Sequence, residues 1–550
     1  MTVIDADRRV RGPYTLASAL LDIFVPEALE RRPDLVAGHD IEIAVAAPHL
    51  KIPRSRLSLA DALPQAERIL IPGARRTLRI ANGLAEFVRS CLDGEPRTVT
   101  VDNLEAADQT DAELVEVLRR RVPDLTVVPG ESRPGGPVPA DFDRYRDEGF
   151  HHAMAEAGLA ALDGLRHDDD PERWMTLVHR TAGALEAIER EDEALALYEL
   201  ARRHTVDPRH RASVACSLAT LLVRHHDPVR RDPEAAVAWI NEAITITSLL
   251  REPRERAFHL GFDLNAKALV EVRRRRFGES ARLVQEAIDL AERDLADVHP
   301  IHRLVLYANR AQLRAMSGEP DAALADYTRA IEADPGYPDY YLDRGDLLRR
   351  LGRTGQALAD FENAMRLSPP WPEPHYNRAE LRYEAGDLAG ALEDLDYALE
   401  LDPEFAPAYV NRAGLRAATG EYGLARSDVE LGLGLDPGNP HLLCVLGQVE
   451  AAEGRPAEAR AAFDAALKTE PALVEAWASR GALSFELGRY GEAVADLSRA
   501  VELKESPELL FNRAMALRAA GRTEQAMADL RRAAELAPGD EDVRAALSGE

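Results

Sequence analysis

Lysine is nearly missing from this chain: of 68 basic residues, only Lys51, Lys267, Lys468 and Lys504 are lysine, and the rest are arginine. None of the four follows a glycine, so there is no G-x-x-x-x-G-K-[ST] loop of the kind whose amides and lysine cradle nucleotide phosphates. Cysteine is equally scarce. Cys91, Cys216 and Cys444 are far apart and odd in number, which excludes a disulfide framework or thiolate zinc site by spacing and fits a reducing compartment. Aromatic residues make up 5%, a composition that points away from a β protein. No run of about 18 apolar residues occurs, and the opening MTVIDADRRVRGPY lacks the apolar core of a signal peptide. Positive charge falls short as well, 68 Lys plus Arg against 95 Asp plus Glu, a net charge of −27. Such a surface has no general attraction for nucleic acid or an anionic membrane. The expectation is a soluble cytoplasmic protein that binds neither.

What is abundant is periodicity. Glycine recurs at Gly318, Gly352, Gly386, Gly420, Gly454 and Gly488, steps of 34 residues, and then at Gly521. Five residues after each comes alanine: Ala323, Ala357, Ala391, Ala425, Ala459, Ala493 and Ala526. Further small residues fall at position 8 (Gly345, Ala379, Ala413, Gly447, Gly481, Ala514), where two helices must approach closely. Prolines at 335, 369, 403, 437, 471 and 538 close the units. This register resembles the tetratricopeptide repeat over about residues 304–538. The resemblance implies a mainly α fold, a right-handed α-solenoid, with a small α/β module ahead of it.

Position 7 of the unit is arginine at Arg310, Arg344, Arg378, Arg412, Arg480 and Arg513; position 23 is aspartate at Asp326, Asp360, Asp394, Asp428, Asp496 and Asp529. The one unit lacking the arginine, with Leu446, also lacks the aspartate, with Ala462. Joint loss predicts structural ion pairs between the two helices of a unit, because stranding one buried charge costs more than losing both.

Residues 141–300 read as three longer, divergent hairpins spaced about 42 to 44 residues apart, preceded by a helix over about 142–163. His151/His152, His225/His226 and His299/His302 are read as surface or turn histidines without a completing ligand, so no metal is expected. The run Arg273–Arg276 is read as a helix end favoured by the helix dipole. Residues 301–550 are expected to hold seven units and a C-terminal capping helix.

Residues 1–135 have a different pattern. Residues 14–47 read as helices, SLADALPQAERILIPG ends in a short apolar run, and RRTLRIANGLAEFVRSCL is an amphipathic helix. RTVTVDNLEAAD followed by a helix and LTVVPG reads as a βαβ-like unit, and RTVTVDNLEAAD resembles the Walker B region of signal-transducing P-loop ATPases. Asn103 stands where a second acid is common, and the phosphate loop is missing. The resemblance therefore implies a degenerate ATPase-like remnant, and the chain as a whole resembles actinobacterial repeat proteins with such a remnant.

The first helices of tetratricopeptide units form the concave wall. Position 6 holds Asn309, Asp343, Asn377, Asn411, Val445, Ser479 and Asn512, and its asparagines resemble the ladder of O-linked N-acetylglucosamine transferases, implying contact with an extended peptide. Asp346, Glu380, Asp339 and Glu373 add negative charge. Chaperone-binding repeats clamp a carboxylate with lysines that are missing here. A non-enzymatic protein-interaction scaffold, with no cofactor and a partner bearing a basic segment, is the expected function. The alternative is a signalling or transcription-associated regulator of the P-loop ATPase kind with a degenerate nucleotide site.

Overall fold

The computed structural model describes residues 2–54, 58–59, 73–133 and 141–548. The apolar end of SLADALPQAERILIPG lies outside them. Two compact units divide the chain, Met1–Pro374 and His375–Glu550.

The first unit opens with a parallel three-stranded sheet, β1 (Thr2–Asp5), β2 (Arg97–Asp102) and β3 (Leu125–Pro129), with β2 in the centre. Register runs from Thr2 opposite Val99 to Asp5 opposite Asp102, and from Arg97 opposite Leu125 to Val101 opposite Pro129. Helices α1 (Arg8–Arg11), α2 (Thr15–Arg31), α3 (Pro33–Gly38), α4 (Asp40–Ala46) and α5 (Gly73–Leu92) lie between β1 and β2, and α6 (Gln109–Arg121) between β2 and β3. Strand β1 has no counterpart in the sequence reading: four residues are too few for an alternation signal.

The helix expected over about 142–163 is two helices, α7 (Phe142–Glu148) and α8 (His151–Gly164), because Gly149 takes a left-handed φ of 70° and ends the first. Three hairpins follow: α9 (Pro171–Ala187) with α10 (Glu191–His204), α11 (Pro208–Arg224) with α12 (Pro233–Thr247), and α13 (Pro253–Arg273) with α14 (Phe277–Asp294). One hydrophobic core runs from Ile4 and Val99 through Leu84, Phe87 and Leu118 to Trp174, Tyr198 and Leu221. The sheet module and the first hairpins are therefore packed as one body.

The regular repeats begin with α15 (Pro300–Met316) and α16 (Pro320–Ala333), then α17 (Pro338–Arg350) and α18 (Thr354–Arg366); α19 (Pro372–Glu384) carries the unit boundary in its first turn. In the second unit come α20 (Leu388–Leu401), α21 (Ala406–Ala418), α22 (Tyr422–Leu435), α23 (Pro440–Ala452), α24 (Pro456–Thr469), α25 (Val474–Glu486), α26 (Tyr490–Leu503), α27 (Pro507–Ala519), α28 (Thr523–Leu536) and a last helix, α29 (Glu541–Ser548). All seven ruler glycines, 318 to 521, have φ between 69° and 83° and end the first helix of a pair. Only glycine takes that conformation cheaply. The repeated spacing of small residues has a packing cause too: a Cβ on Gly345 would meet Phe361 at 2.6 Å, and one on Gly447 would meet Phe463 at 2.5 Å.

The fold is mainly α, helical hairpins with a small N-terminal sheet.

Candidate protein-binding surface

Each arginine of position 7 forks onto its aspartate. Arg310, Arg344, Arg378, Arg412, Arg480 and Arg513 donate Nε and Nη2 to the two carboxylate oxygens of Asp326, Asp360, Asp394, Asp428, Asp496 and Asp529, at 2.6–3.0 Å. The aspartates are buried. A second arginine four residues on, Arg314, Arg382 or Arg416, reaches Asp326, Asp394 or Asp428 at 2.8, 3.0 and 2.8 Å. Its signal was the i, i+4 repetition of arginine. In the unit with Leu446 and Ala462 the charge at that later position reverses: Glu450 accepts from Arg426 at 2.8 Å and pairs with Arg455. These contacts fasten the two helices of each hairpin.

The position-6 residues are engaged with their neighbours. Gln312 donates to Asp343 at 3.4 Å, Asn411 to Glu380 at 3.4 Å, and Gln448 to the Ser479 hydroxyl at 3.0 Å. Asn309 donates to Asn265 at 2.8 Å, and Asp346 pairs with Arg349 and Arg350, both at 3.2 Å. A polar seam links position 9 of one unit to position 6 of the next. Asn377 is half-buried and Asn512 exposed. Burial, with the charge of Asp339 added, pushes Asp343 up to about 7, so this part of the wall gains charge through neutral pH.

Two apolar features break the acidic surface. In the second unit a cleft of about 460 Å³ is ringed by Asn512, Glu486 and Arg518 and floored by Phe485, Leu497 and Met515. In the first unit, Trp371 (2% exposed) lies under the Arg79 guanidinium at 3.6 Å from the ring centroid, and Arg79 itself is 6% exposed. A desolvated cation–π contact of this kind is worth about 2 kcal/mol. Arg79 is 3.8 Å from Asp339, Arg75 is 3.6 Å from Glu373, and Asp334 accepts from the Leu59 amide at 2.9 Å. Helix α5 thus rests on the first-helix acids of the repeats. The sequence reading placed Asp339 and Glu373 on the wall but missed Arg75, Arg79 and Trp371. The available signals were a tryptophan bracketed by prolines in SPPWPEP and the arginine pair in ARRTLR.

The expectation of surface or turn histidines needs correction at three positions, while His226 is exposed. His151, His225 and His302 are buried. Burial pulls His151 and His302 down to about 4. His226 meets a carboxylate after all, that of Glu191, whose oxygens accept from its backbone amide at 3.2 Å and lie 2.8 Å from Nδ1, while His225 Nδ1 accepts from the Asp227 amide at 3.1 Å. Glu191, His225 and His226 lie close enough to offer a metal-sized cluster, and His225 Nε2 is buried without a hydrogen-bond partner among the described residues. At the Arg273–Arg276 run, α13 ends at Arg273, and Arg274 is held by Glu271 and Glu234 at 3.0 and 2.8 Å.

At the end of β2, Asp102 accepts from the Glu131 amide at 2.8 Å, and Asn103, at φ 56°, donates to Asp5 and accepts from the Arg133 amide at 2.9 and 2.7 Å. The strand end is tied to the segment leaving β3.

Residues 309–371 and 444–508 match one tetratricopeptide-repeat family model, and 372–405 and 507–540 match a second. These segments are tetratricopeptide repeats, units that mediate protein–protein contacts. Among solved structures, a tetratricopeptide repeat protein from Parabacteroides merdae is 21% identical, over 44% of this chain and 97% of that one, at a TM-score of 0.39. The APC/C hetero-tetramer Cut9–Hcn1 is 15% identical over 74% and 94%, at 0.42. YrrB, a tetratricopeptide protein with an unusual peptide-binding site, is 24% identical over 32% and 91%, at 0.25. No curated protein matches the chain. Among the described residues, no helix is long and apolar enough to cross a membrane.

Proposed function

We propose that this chain is a non-enzymatic scaffold of the cytoplasm that holds a protein or peptide segment, with basic residues, against the first helices of its repeats. The observation that carries this reading is the cleft at Asn512: an exposed Phe485 and a half-buried Met515 are bordered by Glu486, Arg518 and an amide, the arrangement that seats one anchoring side chain while polar neighbours hold the backbone. The acidic surplus selects a basic partner and makes association weaken with salt. Arginine in place of lysine leaves no carboxylate clamp of the chaperone-binding kind.

The test replaces Asn377, Glu380 and Asn411 with alanine together. Glu380 and Asn411 bond each other, and Glu380 also accepts from the Tyr376 hydroxyl at 3.2 Å. Capture of native partners by the wild type and loss of the same partners by the triple variant is the expected result; identical capture refutes the assignment of the groove.

The nucleotide-dependent alternative gains no support from Asp102, whose carboxylate is already committed to the Glu131 amide. Mg²⁺-dependent ATP binding that disappears in Asp102→Ala would reinstate it.

A further inference from the structure

Arg75 and Arg79 are four residues apart on α5, one turn, and therefore share a helix face. Asp339 and Glu373 are 34 residues apart, the same position of consecutive units. A helix with arginine at i and i+4 thus meets a ladder that offers one carboxylate per repeat. Trp371, the last residue before α19, supplies a flat apolar platform between them, and the Arg79 guanidinium lies on it.

The fit is incomplete. Arg79 and Asp339 stop at 3.8 Å, beyond hydrogen-bond distance. Arg79 Nη1, Asp339 Oδ2, Tyr340 Oη and Trp371 Nε1 are buried without a hydrogen-bond partner among the described residues. Four such atoms at one junction are a standing desolvation cost. Arg75, 69% exposed, holds Glu373 only at 3.6 Å. The opposite face of α5 is different: Ile80, Leu84, Phe87 and Val88 are buried in the core shared with the sheet. Its grip on the module is apolar and tight, and its described grip on the repeats is polar and strained.

We propose that the face formed by Asp339, Trp371 and Glu373 is a docking site for a helix carrying two arginines one turn apart, that α5 is its resident occupant, and that a partner helix of this chemistry displaces it. This rests on the protein-binding reading above and names the partner chemistry at one part of the surface. A partner whose guanidinium closes to hydrogen-bond distance satisfies the buried carboxylate oxygen that α5 leaves bare, and that difference drives the exchange. The sheet module and the first hairpins share one core, so the exchange parts the α5 contacts with Asp339, Trp371 and Glu373 and shifts that shared body as a whole.

The probe is a labelled alanine-based helical peptide with two arginines four residues apart, titrated into the full chain by fluorescence anisotropy. Arg75→Gln with Arg79→Gln, which removes both resident guanidinium groups, is expected to bind the peptide about tenfold tighter than wild type, a gain of about 1.4 kcal/mol. Adding Asp339→Asn and Glu373→Gln must abolish that gain. Equal affinity of wild type and the double glutamine variant, or a gain that survives the carboxamide changes, overturns the proposal. Should the glutamine variant melt early by circular dichroism, Asp339→Asn with Glu373→Gln in the wild-type background serves instead: it is expected to weaken the basal binding about fivefold, about 1 kcal/mol, and unchanged binding overturns the proposal. The alanine changes at Asn377, Glu380 and Asn411 lie in the other compact unit and leave this titration unaltered, so failure here and failure of the groove reading are separable.

Discussion

Arg412 stands 16 residues after Asp396 and 16 before Asp428, and it bonds both: Nη1 reaches Asp396 at 2.7 Å, and Nε and Nη2 fork onto Asp428 at 3.0 and 2.6 Å. One guanidinium therefore fastens the two helices of its own hairpin and also ties that hairpin to the preceding one. Arg344 does the same between Asp360 and the Thr328 hydroxyl, at 3.1 Å for the latter.

The simplest pair to dissect is Arg513 with Asp529, whose two hydrogen bonds are both 2.7 Å. Asp394, by contrast, keeps Arg382 at 3.0 Å when Arg378 is removed. Arg513→Met is expected to lower stability by about 3 kcal/mol, and adding Asp529→Leu should recover most of it, since replacing both members of a buried pair is close to neutral. Urea denaturation of the three proteins decides this; equal losses for single and double variants would sink the pairing.

Position 8 carries a volume constraint. An alanine Cβ at Gly447 would lie within 2.5–2.8 Å of three atoms of the Phe463 ring, which is 1% exposed. Gly447→Ala should cost about 1–3 kcal/mol through overpacking. Units that have alanine there, Ala379 and Ala413, have Leu395 and Val429 opposite. Phe463→Leu should accordingly rescue Gly447→Ala, and thermal melts showing additive losses would contradict the contact.

His302 is stacked on Phe262 at 4.5 Å, with Phe258, His299 and Arg303 around it. Burial first, then the neighbouring His299 and Arg303, holds it down at about 4 against 6.5 in the unfolded chain. A base depressed on folding is neutral in the native state, so its contribution is present above pH 6.5 and lost as pH falls toward 4. The slope between those limits is about 1.4 kcal/mol per pH unit. His302→Phe keeps the stacked ring and removes the proton, so its stability should fall less steeply between pH 6.5 and 4. Parallel pH profiles for the two proteins would exclude this role.

The repeat architecture was legible because its causes are local. A left-handed turn requires glycine, a close helix crossing requires a small residue, and both requirements return every 34 residues at Gly352, Ala357 and their equivalents. The joint substitution at Leu446 and Ala462 reported a facing relation for the same reason: both positions lie inside one hairpin. The histidines were misread because burial depends on what packs from elsewhere, Phe262 in the case of His302.

By itself, then, the sequence determined the hairpins, their turns and the absence of a phosphate loop, since each depends on residues close along the chain. Tertiary structure alone decided the rest. Strand β1 exists because Thr2–Asp5 finds β2 some 95 residues later. Asp111 accepts the Leu16 and Ala17 amides at 2.9 and 3.0 Å, capping the start of α2 from α6. Arg79 lies on Trp371 because the sheet module folds back against the repeats. Such pairings have no period and no fixed separation: they are set by which surfaces can be buried together once the local elements exist, and it is there that the charge of the chain becomes an occupied face.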